Sequence, residues 1–223
     1  MRPLTFHDKA RLDLPMQLRE AIHQVSAIRS HLAAAEHLKS LRAVPVVLSG
    51  LLAVVAATVQ ATWVRVPADR PQDYLLIWCS AALLGSVVAA AMVARRVLRA
   101  GDQLGAANAL LALRQFAPTL IVGATVTWFV YDKQPALLWL LPGIWQMLFG
   151  LGSLATHRLF PAPAFAVGVM FLVTGACCLW LGERALAPWA MGVPFAAGQG
   201  GLAVILWWHH ERRQAPAATE SIR

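Results

Sequence analysis

The chain has 223 residues, of which 58% are apolar and only 13% carry a charge, and its formal net charge is +8. Soluble domains carry about 25% charged residues, so this composition excludes an ordinary soluble protein and also a disordered chain. It favours an integral membrane protein with an all-helical fold.

The N-terminal segment has an amphipathic pattern in place of an apolar run. We expect residues 14–41 to form one cytoplasmic helix, with Asp13 as its cap and Pro15 in its first turn. Apolar residues recur there at alternating spacings of four and three, which is a heptad pattern. These residues are Leu14, Leu18, Ala21, Val25, Ile28, Leu32 and Ala35.

Three roles are compatible with this helix. In the first role the helix packs against a protein partner or a second copy of the chain. In the second it lies on the membrane surface, and in the third it folds back on its own bundle. The pattern covers about three heptads, and the positions beside the apolar residues show no regular alternation of charge. The pattern therefore does not decide between the three roles. In the first role the binding residues are Leu18, Val25, Ile28 and Leu32.

Six apolar stretches follow, and a membrane helix needs about 20 such residues. The third stretch has only 16 residues and is completed by the amphipathic turns around 110–115. We therefore expect an N-terminal amphipathic helix over 1–42, a six-helix transmembrane bundle over 43–208 and a cytoplasmic tail over 209–223. The expected spans are 43–63, 74–94, 116–131, 136–156, 162–182 and 187–208.

A weak repeat runs through the odd-numbered spans. Each begins with a proline that is followed five residues later by a glycine. The pairs are Pro45 and Gly50, Pro118 and Gly123, and Pro163 and Gly168. The repeat allows an arrangement as three successive helical hairpins, although proline is common in the first turn of any helix.

Positive charge is distributed unequally between the two sides. Of the 19 Lys and Arg residues, 15 lie in the N-terminal segment, the 95–115 loop, the turn after span four and the tail. The other side has Arg65, Arg70, Lys133 and Arg184. Because positive charge stays on the cytoplasmic side, we expect both termini inside, in a bacterial inner membrane. The basic net charge thus reflects topology, and we expect no nucleic-acid binding.

No Asp, Glu, Lys or Arg lies near the centre of an expected span, which argues against ion-coupled transporters and proton channels. Two glutamines, Gln146 and Gln199, lie among glycines. Two interpretations are open. In the first, the commoner one for such residues, the glutamines form hydrogen bonds between helices; in the second, they line a small-molecule or lipid pocket between spans four and six. In the second interpretation Trp145 belongs to the same pocket.

Motifs for metal binding and catalysis are absent from the sequence. His157 and the run His209-His210-Glu211 end spans on the same side, but neighbouring helical residues point about 100° apart and do not easily share one ion. We therefore predict no metal site and no cofactor. The sequence has no nucleophile elbow, phosphate loop or dinucleotide glycine pattern, so we predict that the protein is not an enzyme.

Three short motifs resemble those of a group of small, mostly uncharacterised bacterial inner-membrane proteins with an amphipathic N-terminal helix. The motifs are Leu18-Arg19 with Ile28-Arg29, then Leu48-Ser49-Gly50-Leu51, and Pro142-Gly143-Ile144-Trp145 through Phe149-Gly150. The resemblance implies a bacterial origin and six spans, and it implies no activity.

The sequence favours a non-enzymatic regulatory, scaffold or accessory subunit that acts through its N-terminal helix. Its partners are then membrane lipid and either another protein or a second copy of the chain. The alternative is a small transporter or a membrane protein that binds a lipid or another apolar ligand near Trp145, Gln146 and Gln199.

Overall fold

The computed structural model describes residues 43–100 and 103–214, and all regular elements in these ranges are helical. Six of them are long and apolar enough to cross a membrane, which confirms the all-helical, six-helix fold expected from the sequence and fits a multi-pass membrane protein. The α-helices are α1 (Ala43–Trp63), α2 (Pro71–Ala100), α3 (Gln103–Lys133), α4 (Leu141–Ala155), α5 (Ala164–Leu181) and α6 (Pro188–Gln214). The 3₁₀ segments are Pro135–Leu140, His157–Leu159 and Gly182–Leu186.

Two of the sequence-based predictions lie outside the described residues. The N-terminal helix, with the proposed partner-binding residues Leu18, Val25, Ile28 and Leu32, belongs to residues 1–42. Most of the tail, from residue 215 onward, is also outside. Both remain predictions.

Proline and glycine set several helix boundaries. Pro71 and Pro188 begin α2 and α6, where the missing N–H has no intrahelical partner in any case. Gly182 ends α5 with a φ of 58°, a left-handed conformation that a residue without a Cβ adopts at little cost. These signals account for the sharp turns between the long helices.

The third helix differs from the repeat seen in the sequence. Pro45 lies in the first turn of α1 and Pro163 is the N-cap of α5, whereas Pro118 lies inside the continuous helix α3. The residues before Pro118 are good helix formers, so the helix begins already at Gln103. Pro118 therefore removes one hydrogen bond within α3 and does not begin it.

The six helices form a ring in sequence order. Each packs against its neighbours in the chain, and α1 closes the ring by packing along α6. The α4–α5 and α1–α6 pairs have the most extensive contacts. The connections Val64–Arg70, Pro135–Leu140 and Gly182–Leu186 lie at one end of the ring, which we call the loop end.

Glycines allow α4 and α5 to approach closely at two levels. A Cβ on Gly143 would lie 2.8 Å from the carbonyl oxygen of Gly175, and a Cβ on Gly150 would lie 2.8 Å from that of Gly168. In each helix the two glycines are seven residues apart, so they lie on one face. The close approach maximises van der Waals contact, the main attraction between helices in lipid.

Helices α2 and α3 are the least buried of the six. In the parts of these helices whose exposure the structure describes, 71–95 in α2 and 110–133 in α3, the buried side chains are Tyr74, Leu75, Trp78 and Val130. All four lie near the loop end. The helices therefore pack tightly around these residues near the loop end. Farther from the loop end, a space remains between α2 and α3.

Candidate ligand-binding cleft

A cleft of about 1080 Å³ lies between α2 and α3 and extends inward to α1, α4 and α6. Because each helical residue advances about 1.5 Å, its lining along α2 from Gln72 to Ala89 is about 26 Å long, close to the about 30 Å of a bilayer's hydrocarbon core. Leu76 and Leu83 line the cleft and remain 70% and 67% exposed. The cleft is thus open to the surroundings of the bundle.

The cleft wall is apolar and uncharged. None of the described residues that line it is Asp, Glu, Lys, Arg or His. Several lining hydroxyls donate to carbonyl oxygens of their own helix: Ser86 to Ala82 at 2.8 Å, and Thr127 to Gly123 at 2.7 Å. Their hydrogens are therefore used, while their oxygens retain lone pairs that accept hydrogen bonds.

Gln199 lines the cleft from α6 and is only 6% exposed. Its Cβ packs 3.2 Å from the position that a Cβ on Gly50 would take, so the α1–α6 contact holds the residue in place. The amide makes no hydrogen bond to any residue in the described part of the chain. The Gln199 amide atoms are not among the fully buried unpaired atoms of the described residues, so they are accessible from the cleft and present a polar group in an otherwise apolar wall.

Trp145 contributes to the inner wall of the cleft from α4. Its indole N–H donates to the Thr127 hydroxyl of α3 at 2.9 Å. Its ring lies almost parallel to that of Tyr74 in α2, with the ring centroids 6.3 Å apart. Trp145 therefore connects α4 with α2 and α3, which we call the outer helices. It fixes the inner wall of the cleft near the loop end.

Gln146 lies next to Trp145 in the chain but faces away from the cleft. It is completely buried, and its Nε2 donates to the Ala190 carbonyl at 3.0 Å and to the Cys178 sulfur at 3.2 Å. Its Oε1 is buried without a partner, as is the Tyr74 hydroxyl. The structure thus brings Trp145 and Gln199 to one cleft and places Gln146 between α4, α5 and α6.

A third glutamine, Gln60, was not singled out in the sequence analysis and holds the loop end together. It is completely buried, accepts a hydrogen bond of 2.8 Å from the Trp78 indole, and donates one of 2.7 Å to the Leu186 carbonyl. Trp78 lines the cleft on its other side. One side chain therefore links α1, α2 and the α5–α6 connection. Nothing in the local sequence of Gln60 distinguishes it from other polar residues in apolar helices.

The loop-end boundary of the cleft is a polar contact between the two outer helices. Gln72 of α2 donates a hydrogen bond of 3.1 Å to the Tyr131 hydroxyl of α3, and both residues line the cleft and are exposed. Beyond this end lies a second cavity of about 960 Å³, lined by loop residues that include Arg65, Glu183 and Arg184. Gln60 contributes to its wall.

No three His, Cys, Asp or Glu side chains come together as metal ligands in the part of the chain that the structure describes. His209 and His210 lie in α6, and His157 lies in the 3₁₀ segment after α4, where its Nδ1 is 2.6 Å from the Leu154 carbonyl oxygen. The polar groups of the cleft are hydroxyls, amides and one thiol. They suit hydrogen bonding to a ligand better than they suit holding an ion.

Comparison with protein-family models, with curated proteins and with solved structures gave no match. The resemblance noted in the sequence therefore rests on its three motifs alone.

Proposed function

We propose that the protein binds an uncharged, lipid-like molecule in the cleft between α2 and α3. The observation that carries the proposal is Gln199, a residue that is only 6% exposed, lines the cleft, and has an amide that is accessible there and forms no hydrogen bond with the other described residues. A ligand whose polar group reaches Gln199 supplies a hydrogen-bond partner. The apolar part of the same ligand then covers the remaining lining.

The lining supports an uncharged ligand over an ion. Placing a charge in an apolar, membrane-embedded site is costly unless the protein offers a counter-charge. The described lining residues offer none. The exposed leucines at the cleft edge, Leu76 and Leu83, also give a ligand access from the bilayer.

The orientation of the protein follows as part of this proposal. Within residues 43–214, four Lys and Arg residues lie at the loop end and seven lie toward the opposite end, where α1 starts and α6 ends. The seven are Arg95, Arg96, Arg99, Arg114, Arg158, Arg212 and Arg213. By the positive-inside rule, that end faces the cytoplasm of a bacterial cell and the loop end faces outward. The cleft then opens between the helices toward the inner leaflet and is closed near the outer surface.

The regulatory role predicted from the N-terminal helix is a separate hypothesis. It rests on Leu18, Val25, Ile28 and Leu32, which lie outside the described residues. The two roles are compatible, because the N-terminal segment joins α1 near Pro45, which lines the cleft.

A binding experiment with matched neighbours in α3 tests the proposal. The probe is glucosylceramide with nitrobenzoxadiazole on its acyl chain, titrated against the detergent-solubilised protein. Ala124 lines the cleft, whereas its neighbour Thr125 does not, and both are exposed. We expect Ala124→Phe to fill the cleft and remove binding, and Thr125→Phe to bind as the unaltered protein does.

A second variant tests the polar contact. Gln199→Leu keeps the size of the side chain and removes the amide, so we expect affinity for the same probe to fall about tenfold, as for one lost hydrogen bond in an apolar site. Its thermal unfolding should remain close to that of the unaltered protein. Failure of the unaltered protein to bind saturably, or equal binding by both phenylalanine variants, contradicts the proposal.

A further inference from the structure

Polar side chains follow the cleft along both outer helices. On α2 they are Gln72, Cys79 and Ser86, which are seven residues apart and therefore share one face of the helix. On α3 they are Thr119, Thr127 and Tyr131. All six line the cleft, and we call them together the polar track.

The antiparallel course of α2 and α3 brings the members of the polar track to similar levels. The hydrogen bond between Gln72 and Tyr131 fixes the register at the loop end. Seven residues farther along α2 is Cys79, near the level of Thr127, and seven more is Ser86, near the level of Thr119. The track thus has three polar levels distributed over most of the length of the cleft.

From this arrangement we infer that the protein moves uncharged, hydroxyl-bearing lipids between the two leaflets, with the head group passing along the polar track and the acyl chains extending from the apolar lining of the cleft into the bilayer. The inference rests on the proposed binding function and adds movement to it. The cost of moving a lipid head group across a membrane is the loss of its hydrogen bonds to water in hydrocarbon. A series of polar side chains lowers that cost at each level.

The chemistry of the track selects the head group. Ser86, Thr119 and Thr127 donate their hydroxyl hydrogens to carbonyls of their own helices, so their oxygens serve chiefly as acceptors. The Thr127 oxygen already accepts a hydrogen bond from the Trp145 indole, which leaves it one lone pair. They therefore suit a head group that is rich in O–H donors. A charged head group would meet no counter-charge among the described residues of the cleft. A sugar head group meets both conditions.

At the level of Gln72 and Tyr131 a hydrogen bond crosses the polar track. Their hydrogen bond joins the outer helices directly, and both side chains are exposed at the edge of the apolar spans. A lipid head group that moves to the loop end must break the hydrogen bond between Gln72 and Tyr131. The Gln72 amide then has a free N–H donor and the Tyr131 oxygen a free acceptor site, and hydroxyls of the head group can bond to both. Gln72 and Tyr131 thus form a polar level of the same kind as the other two levels.

The test is lipid movement in sealed vesicles that contain the full-length protein. Vesicles carry nitrobenzoxadiazole-labelled glucosylceramide in both leaflets, and dithionite added outside bleaches only the label in the outer leaflet. With the protein we expect the slow second phase of bleaching to accelerate at least about tenfold over protein-free vesicles. Ser86→Ala and Thr119→Val should each slow this phase, because each removes one of the two hydroxyls at their shared level, and the double variant, which leaves that level without a hydroxyl, should slow it several-fold.

The chain provides matched controls on the same two helices. Ser80 and Thr125 also donate to carbonyls of their own helices, are exposed, and do not line the cleft. Ser80→Ala and Thr125→Val should therefore leave the rate unchanged. Phosphatidylcholine with the same label should move much more slowly than glucosylceramide, because its head group carries charges.

Each outcome decides between the two proposals. Saturable probe binding without accelerated bleaching overturns lipid movement and leaves the binding function in place. Absence of both binding and movement overturns both. Acceleration that is equal in the track variants and the control variants, or equal for both lipids, overturns the polar track as the route.

Discussion

The Trp78 indole of α2 donates a 2.8 Å hydrogen bond to Gln60 of α1, and Gln60 donates a 2.7 Å bond to the carbonyl of Leu186. Gln60 is completely buried and Trp78 is 5% exposed, so water does not compete for these bonds. They hold the loop end of the outer helix α2 against the rest of the bundle. The cleft can remain open farther along because α2 is fixed here.

We predict that Gln60→Leu destabilises the folded protein by about 1–2 kcal/mol, because the Trp78 N–H and the Leu186 carbonyl lose their partner in a buried site. The measurement is equilibrium unfolding in mixed micelles with a denaturing detergent. Gln115→Leu, at an exposed position on α3, is the control and should have little effect. Equal stability of both variants would show that the Gln60 bonds contribute nothing net.

Close backbone packing of α4 and α5 leads to a second prediction. A Cβ on Gly150 would lie 2.8 Å from the Gly168 carbonyl oxygen and 3.1 Å from the backbone N of Leu172, so neither obstacle is a flexible side-chain end. We expect Gly150→Ala to separate the helices and lower the unfolding midpoint in the same assay. Gly200 on α6 has no atom within 4 Å of such a Cβ, so Gly200→Ala should be tolerated. A larger loss in Gly200→Ala than in Gly150→Ala would contradict this packing.

The native cysteines provide a third prediction, which needs few substitutions. Cys79 and Cys177 are both exposed, but Cys79 lines the cleft and Cys177 does not, while Cys178 is buried. In vesicles, a membrane-permeant benzyl methanethiosulfonate should attach to both exposed thiols. Bound glucosylceramide should protect Cys79 from the reagent and leave the labelling of Cys177 unchanged, as mass spectrometry of proteolytic peptides can show.

The same reagent links labelling to lipid movement. A Cys177→Ala, Cys178→Ala protein, labelled at Cys79, should lose accelerated bleaching because the benzyl group narrows the cleft. A Cys79→Ser, Cys178→Ala protein, labelled at Cys177, should retain it. Similar rates for the two labelled proteins would place the route of the lipid outside the cleft.

The sequence predicted the six apolar helices well because their signal depends on length and composition alone. The third helix shows the limit of that signal. Its apolar part is short, and the preceding amphipathic turns continue the same helix, so that Pro118 lies in its interior. A proline that resembles a helix start in sequence can be interior when the residues before it also favour a helix.

The face on which each polar residue lies could not be predicted. Gln146 and Gln199 both have glycine neighbours, yet one is buried between α4, α5 and α6 and the other lines the cleft. In a soluble protein the hydrophobic periodicity indicates which side of a helix is buried. In these helices both the lipid-facing and the inward sides are apolar, so the rotation of each helix is set by packing between helices.

The last prediction concerns the N-terminal helix, whose heptad pattern includes Val25 and Ile28. Photo-crosslinking residues placed at these two positions in native membranes should capture one discrete protein or a second copy of the chain if the helix acts on a partner. Val25→Asp or Ile28→Asp should then abolish capture from the other position without changing the unfolding of the bundle, because an aspartate in the seam costs desolvation. Crosslinks confined to lipid or to the chain's own loops would reject the regulatory hypothesis. They would leave the cleft, which is lined by residues of the described helices, as the proposed functional site.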